Sequence, residues 1–335
     1  MIAHPYAGSS LGQWPRDPLD TGMTASTANT VASTFAHEAL LYRSDAEYLA
    51  GVVPYIGAGL AAGEPVAVAV PTRQLGLLRA ELDHTADVRL LDMTRVGRNP
   101  GRIIAAVLRA FADAYPGRGI RVVSQPVWPE RSAAEYAACV QHEGLVDRAF
   151  AGRRGTLLCP YDAAGLTPAA LADAATTHSV LVDGGIRRPS DRYAPDDAVA
   201  AGNVPLAVPP GAEPFTVDQP DMSGLRHRCL DFAVRHGLTD DRAQDLALAL
   251  TELACNSLEH ARSSATVLFG TTGSRVVCQV RDAGYLADPL AGRRPAPPEQ
   301  LRGRGLLLVH QLADLVRVHT TPGGTTVEVQ FEVGG

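Results

Sequence analysis

The sequence predicts two domains in series: a doubly wound α/β domain, then an α+β domain of two layers. Three observations carry this. From Phe35 to His178, short β-branched or leucine-rich runs alternate with amphipathic helical stretches, the rhythm of a parallel sheet covered by helices. Residues 187–213 then gather prolines, glycines and charges, the composition of a semi-rigid linker. Beyond residue 214 the strands come in pairs beside long helices, as when helices lie on one face of a mixed, largely antiparallel sheet. Residues 1–34 are rich in Ser, Thr, Gly and Pro without apolar periodicity and read as a disordered tail, with Met23 an alternative start. The expected divisions are therefore 1–34, 35–186, 187–213 and 214–335.

Each element has its own signal. Ala36 to Tyr42 reads as a strand, and Asp45 to Ala62 as a helix capped by Ser44 or Asp45 and closed by Gly63. Pro65 to Val70 is a β-branched run suited to a buried strand. It is followed by a helix over Arg73 to Leu82 and a strand over Val88 to Asp92. Helices over Gly101–Tyr115, Ser132–Phe150 and Pro168–His178 alternate with strands over Ile120–Ser124 and Gly155–Cys159. The second domain begins with a strand at Pro214–Val217 and helices over Met222–His236 and Asp240–Ala261. Strands at Ala265–Gly270 and Arg275–Asp282 follow, then a proline-rich loop and a helix from Gly305 to Leu315. Strands at Val316–Thr320 and Thr325–Glu332 close the chain.

Composition excludes several classes. Net charge is −6 and no basic run stands out, so direct nucleic-acid binding is not expected. No apolar run has membrane-spanning length and no secretory leader opens the chain, which predicts a cytoplasmic protein. All 30 basic residues are arginine, so a Walker A lysine, a Schiff base and the lysine clamp of protein kinases are ruled out. Cys139, Cys159, Cys229, Cys255 and Cys278 are widely spaced, without a CxxC pair or zinc-site spacing, and read as buried thiols.

The chemistry concentrates in the second domain. In the helix Leu246 to Ala261, Glu252, Asn256 and His260 recur every fourth residue and share one polar stripe. A carboxylate one turn from a carboxamide can hold Mg²⁺ and orient a nucleophile; the alternative is a stripe that faces solvent. Asp282-Ala-Gly284 ends a strand where the carboxylate can accept an adenine amino group and Gly284 lets the base approach, or it is a plain turn. Gly303-Arg304-Gly305 opens a helix whose free N–H groups suit phosphate oxygens, with Arg304 adding charge, or it is a loop glycine pair without a ligand. Gly323 to Phe331 returns as a turn and strand that brings Thr326 toward the base pocket.

In that order, these segments resemble the Bergerat-fold (GHKL) ATPases, and among them the short anti-sigma-factor serine kinases of Gram-positive bacteria. Glu252 to Ala261 is similar to the family's N box, Asp282–Gly284 to its first glycine box, Gly303–Leu306 to its second, and Gly324–Val327 to its closing strand. The resemblance implies ATP and Mg²⁺ as cofactors, with Asn256 on the metal and Glu252 as general base. It also implies Asp282 on adenine with Thr326 nearby through a water, and Gly303, Arg304 and Gly305 on the phosphates beneath a lid over 285–302. Arg226 stands where the family places an arginine that assists phosphoryl transfer, with Arg228 as rival. A homodimer is likewise implied by resemblance alone.

The first domain resembles the MEDS sensory domain through His37–Tyr42, Gly59–Val66, Leu158–Asp162 and His178, and its element order resembles the RecA/KaiC class without a phosphate loop. The resemblance implies an undefined small ligand, hydrocarbon-like in character. His37 reads either as a satisfied histidine at a strand edge or as a ligand contact or pH switch. Tyr161 and Asp162 follow a strand C-terminus, where open α/β sheets place ligands, although an Asp there equally caps a turn. Tyr42 and Cys159 complete the sensor candidates, and Pro126–Pro129 lines a pocket or only packs on the sheet.

Three functions fit the sequence. The first is a sensor-controlled serine/threonine kinase that phosphorylates a STAS-type anti-sigma-factor antagonist and sequesters a sigma factor. The second is a histidine kinase, which needs a phosphoacceptor His on a helical hairpin just upstream, where a proline-rich linker stands instead. The third is a non-catalytic, ATP-dependent binding switch.

Overall fold

The computed structural model describes residues 35–82, 87–218, 222–295 and 303–334; the expected tail lies outside them. The first domain runs β1 (Phe35–Tyr42), α1 (Asp45–Ala61), β2 (Val66–Val70), α2 (Thr72–Glu81), β3 (Val88–Asp92) and α3 (Met93–Val96). A 3₁₀ turn at Pro100–Arg102 and a π-helical stretch at Ile104–Arg109 lead into α4 (Ala110–Asp113). Next come β4 (Ile120–Ser124), α5 (Ala133–Ala149), β5 (Gly155–Asp162), α6 (Pro168–Thr177), β6 (Val180–Asp183), β7 (Ile186–Pro189) and α7 (Pro195–Ala201).

These strands form one sheet in the order β3-β2-β4-β5-β1-β6-β7, parallel except for β7, which returns antiparallel to β6 at the edge. Helices cover both faces. α1 and α2 lay Tyr48, Val52, Ile56 and Leu78 on one, while α5 and the 103–112 segment lay Leu145, Val146, Ile104 and Phe111 on the other. The alanine–valine alternation of β2 is buried throughout, as a strand sandwiched on both faces requires. Ser132 starts α5 with a reciprocal capping box to Glu135.

The second domain contains β8 (Glu213–Val217), α8 (Met222–Arg235), α9 (Asp240–Asn256), a π turn at Ser257–Ala261, β9 (Ala265–Thr272), β10 (Arg275–Asp282), α10 (Gly305–Leu312), β11 (Leu315–Thr321) and β12 (Gly324–Glu332). Its strands pair antiparallel in the order β11-β12-β10-β9-β8, and Phe232, Leu246, Leu250, Val309 and Phe331 unite the helices over one face.

Several boundaries differ from expectation: the stretch expected as one helix over 101–115 is broken, β5 runs on to Asp162 and α10 ends at Leu312, and two further differences shape the domains. The first domain continues through β7 and α7, so most of the expected linker 187–213 is structured and only about 202–212 bridges the domains. β7 is exposed at all four residues, so it carried no apolar alternation to find. In the second domain α9 stops at Asn256, and the wider π turn replaces its expected last turn, ending at Arg262 in the left-handed region (φ 51°).

The domains share a joint. The turn after α3 meets the end of α10: Asn99 Nδ2 donates to the His310 carbonyl at 2.8 Å, and Arg102 reaches the Gln311 carbonyl at 3.4 Å. These donors satisfy carbonyls that a helix C-terminus leaves unpaired. A Cβ on Gly101 would lie 2.2 Å from His310 Nδ1, so only glycine permits this approach. From the other side, Leu290 is buried in the first domain's core, and the buried Arg293 donates to Gln141 of α5 at 3.2 Å.

Candidate functional site

A cavity of about 320 Å³ opens between α9, β10, β12 and the start of α10. Asn256, His260, Asp282, Gly284, Gly303 and Gly305 line it, so six of the sequence-predicted residues converge there. Asp282 is fixed at its floor: the Gly284 N–H donates to Oδ1 at 2.7 Å, and the Ser257 hydroxyl lies 2.6 Å from Oδ2. That hydroxyl also lies 3.1 Å from the Leu253 carbonyl, so its single proton serves one acceptor at a time. The π turn carries Ser257 over Asp282, a local widening of the kind frequent at functional sites.

Glu252 stands at the rim. A Cβ added to Gly305 would meet Glu252 Oε2 at 2.6 Å and the Asn256 side-chain amide at 3.4 Å. The first residue of α10 is thus bare so that its backbone can lie against the carboxylate and carboxamide. A helix N-terminus facing those two groups can take a phosphate chain on its N–H groups while a cation is held by Asn256 and neutralises charge. The donor set therefore fits Mg²⁺ with a nucleotide.

Four predicted residues, counting Arg228 as the rival of Arg226, fall elsewhere. Thr326 turns away, because alternation along β12 points Thr325 and Val327 into the cavity instead. Thr325 donates to the Gly284 carbonyl at 2.8 Å and lies 2.7 Å from the Thr320 hydroxyl, which ties the closing strand to the Asp282 turn. Arg226 bonds Gln244 at 2.8 Å; Gln244 precedes Glu252 by two turns of α9, on the order of 12 Å along the axis. Arg228 is held by Glu213 at 2.7 Å beside Phe215. Arg304 is exposed and occupies the N-cap position of α10, outside the cavity lining. Ser257, Thr325 and the loop residues Tyr285 and Leu286 line the cavity without having been singled out by sequence. The serine beside Asn256 and the parity of β12 were the signals available for the first two.

The first domain separates its candidates into two places. Tyr42 and Asp162 sit at the C-terminal ends of β1 and β5, beside Trp128, in an open cleft of about 890 Å³. Tyr42 accepts hydrogen bonds from Gln74 and Gln125. Asp162 accepts from the N–H groups of Ala164 and Gly165, so it caps its own turn while facing the cleft. His37, Cys159 and Tyr161 lie deeper, fully buried under α5, and His37 is on a central strand rather than at an edge. Burial pushes His37 down to about 4, with Asp147 opposing, and His178 down to about 3. Burial also raises Cys159 and Glu143.

Residues 36–179 match the family described as the methanogen/methylotroph, DcmR sensory domain (MEDS), and residues 215–331 match the histidine kinase-like ATPase domain. The chain therefore joins an N-terminal MEDS domain to a histidine kinase-like ATPase domain. No curated protein matches it. A solved structure of the RsbU and RsbW domains of Rv1364c from Mycobacterium tuberculosis aligns over 36% of this chain and 32% of that one, at 18% identity and a TM-score of 0.27, a likeness too slight to bear on function. Among the described residues, no helix is long and apolar enough to cross a membrane.

Proposed function

We propose that the chain is a Mg²⁺-dependent ATP-binding serine/threonine protein kinase of the anti-sigma-factor type, governed by its N-terminal sensor. Its substrate is a serine on a STAS-type anti-sigma-factor antagonist, and a sigma factor is its sequestered partner. The observation that carries this reading is the bare start of α10 set against Glu252 and Asn256, with Asp282 anchored across the cavity. In this reading Asp282 accepts the adenine amino group and the Gly303–Gly305 N–H groups hold the phosphates. Asn256 holds Mg²⁺, which supplies charge neutralisation on the phosphates. Glu252 takes the proton of the attacking serine hydroxyl as its oxygen bonds the γ-phosphorus in line, the bond to the β,γ-bridging oxygen breaks and ADP leaves.

The sensor's sheet order, with its antiparallel edge strand, is in keeping with a RecA/KaiC-like ancestry. Control by the sensor would run through the joint, since α10 begins at the phosphate site and ends on the Asn99–Arg102 turn.

A histidine kinase fits less well. Among the described residues between 187 and 218, the only helix is the seven-residue α7, which offers no helical hairpin for a phosphoacceptor. The test is transfer from γ-labelled ATP to STAS-type antagonists by the full chain and by its Glu252→Ala and Asn256→Ala variants. Phosphoserine on the partner that disappears in Glu252→Ala is the expected result. Phosphohistidine on the chain itself would replace the reading with the histidine kinase. Tight ATP binding without any transfer would leave a non-catalytic switch.

A further inference from the structure

The buried heart of the sensor holds four side chains from four elements: His37 of β1, Glu143 of α5, Cys159 of β5 and His178, the residue that ends α6. One ligand-type atom from each lies within 4.8 Å of all the others. His37 Nε2 is 3.1 Å from Glu143 Oε2 and 3.4 Å from Cys159 Sγ. The same carboxylate oxygen is 3.6 Å from His178 Nε2 and 3.7 Å from Cys159 Sγ. Metal–ligand bonds of roughly 2.0–2.3 Å in a tetrahedron require ligand–ligand edges of about 3.3–3.8 Å. Of the four separations, 3.4, 3.6 and 3.7 Å fall within that range and 3.1 Å lies just below it, and all pairs stay within 4.8 Å.

Both imidazoles also point the correct nitrogen inward. His178 Nδ1 donates to the Ala174 carbonyl at 2.9 Å, which fixes the proton on that atom and leaves the Nε2 lone pair facing the cluster. That Nε2 has no hydrogen-bond partner of its own, and neither do Glu143 Oε1 and His37 Nδ1. Behind His37, the Asp147 carboxylate lies 3.7 Å from Nδ1, in the position of the carboxylate that orients a metal-bound histidine. Charge points the same way. Glu143 is only 2% exposed, and its carboxylate is met by the His37 ring, the Cys159 thiol and the Tyr161 hydroxyl, with His178 Nε2 at 3.6 Å and no arginine among these neighbours. A divalent ion with one carboxylate and one thiolate is neutral, whereas an unpaired buried carboxylate is costly.

We propose that His37, Glu143, Cys159 and His178 bind one divalent transition-metal ion of the zinc class within the sensor domain. The four ligands enclose the ion completely, with Asp147 and the Ala174 carbonyl positioning the two histidines. The site is separate from the open cleft beside Tyr42 and from the nucleotide cavity, and it holds whether or not the second domain is a kinase.

The test uses the full chain, loaded with zinc or with cobalt and then dialysed. One equivalent of zinc by elemental analysis is expected, together with a cobalt form that shows both d–d absorption and a thiolate charge-transfer band. Cys159→Ser should remove the charge-transfer band while d–d absorption persists. Asp147→Asn should weaken zinc binding about 10- to 100-fold with unchanged circular dichroism. A folded chain that retains neither metal would overturn the proposal, and so would bound metal whose amount and spectrum are the same in Cys159→Ser and His178→Gln.

Discussion

The two polar sites of this molecule are built on opposite plans. The nucleotide cavity is open, formed where a helix N-terminus, a strand end and a turn leave backbone exposed, and its polar groups are partnered by neighbours such as Ser257 and Gly284. The sensor cluster is sealed, made of side chains alone, with several polar atoms lacking a partner. A site meant for an exchanging ligand can be satisfied by its own hydrogen bonds and by water when it stands empty. A sealed site has no such recourse, because each unpartnered buried group costs on the order of 1–3 kcal/mol. The comparison thus favours an exchanging ligand in the second domain and, under the proposal above, a resident ion in the first.

The sharpest way to break it is at the floor of the open site. Asp282→Ala removes the acceptor expected for adenine and leaves the Gly284 N–H and Ser257 without a shared partner. A hydrogen bond to a charged group contributes roughly 1.5–3 kcal/mol, so ATP affinity should fall by about 10- to 150-fold. Calorimetric titration with Mg-ATP measures this. An unchanged dissociation constant would mean that the cavity is not where adenine sits.

That same floor was largely legible in the sequence, whereas in the sensor cluster His37, Cys159 and His178 stood out singly but neither Glu143 nor their convergence did. Glu252, Asn256, Asp282, Gly284, Gly303 and Gly305 belong to short contiguous segments whose spacing already encodes a helix face, a strand end and a helix start. What was misjudged there depends on backbone detail. The wide turn at Ser257–Ala261 breaks an apparently regular helix, and Thr325 rather than Thr326 faces inward because the strand's parity is set by its turn. In the sensor, His37, Glu143, Cys159 and His178 are separated by up to 106 residues between neighbours in the chain, and only the strand order and the seating of α5 bring them together. Glu143 lies in an amphipathic helix, where a carboxylate ordinarily faces water, so nothing marked it.

The joint between the two sites offers the next effect. Leu290 belongs to the loop over the nucleotide cavity yet is 5% exposed, inside the sensor's core. Leu290→Ala should cost about 2 kcal/mol through lost burial and the cavity it leaves. The expected readout is a lower urea midpoint together with faster release of a fluorescent ATP analogue. If stability falls while release is unaffected, the loop's docking does not govern the nucleotide.

A pH effect should follow at His310, on the same joint. Burial holds its imidazole well below the ordinary value of 6.5, with Arg293 adding like-charge repulsion. Once the chain unfolds, that ring takes up a proton below about pH 6.5, whereas the buried ring does not. Its contribution to stability is therefore complete above that pH and is lost as the pH falls below it. Urea midpoints measured at successive pH values from 7.5 to about 5 should decline, and His310→Gln should flatten part of that decline. A His310→Gln profile parallel to that of the parent would show that the joint is insensitive to this group.

The smallest effect belongs to the ion pairs at the edge of the joint. Arg98 reaches Glu332, and its other terminal nitrogen lies 3.5 Å from Asp314. Arg98 is 32% exposed and Glu332 35%, so water and salt screen the attraction. Ordering a long side chain offsets part of what remains, and such pairs contribute under about 1 kcal/mol. Arg98→Ala should therefore lower the urea midpoint only slightly, and the difference should vanish in about 1 M salt. The buried neighbours carry the docking in this account: Asn99 is wholly buried and holds the end of α10 through the His310 carbonyl. A loss in Arg98→Ala as large as that in Leu290→Ala, and persistent in high salt, would reverse that ranking and make the rim rather than the core of the joint the element that fixes the sensor to the nucleotide domain.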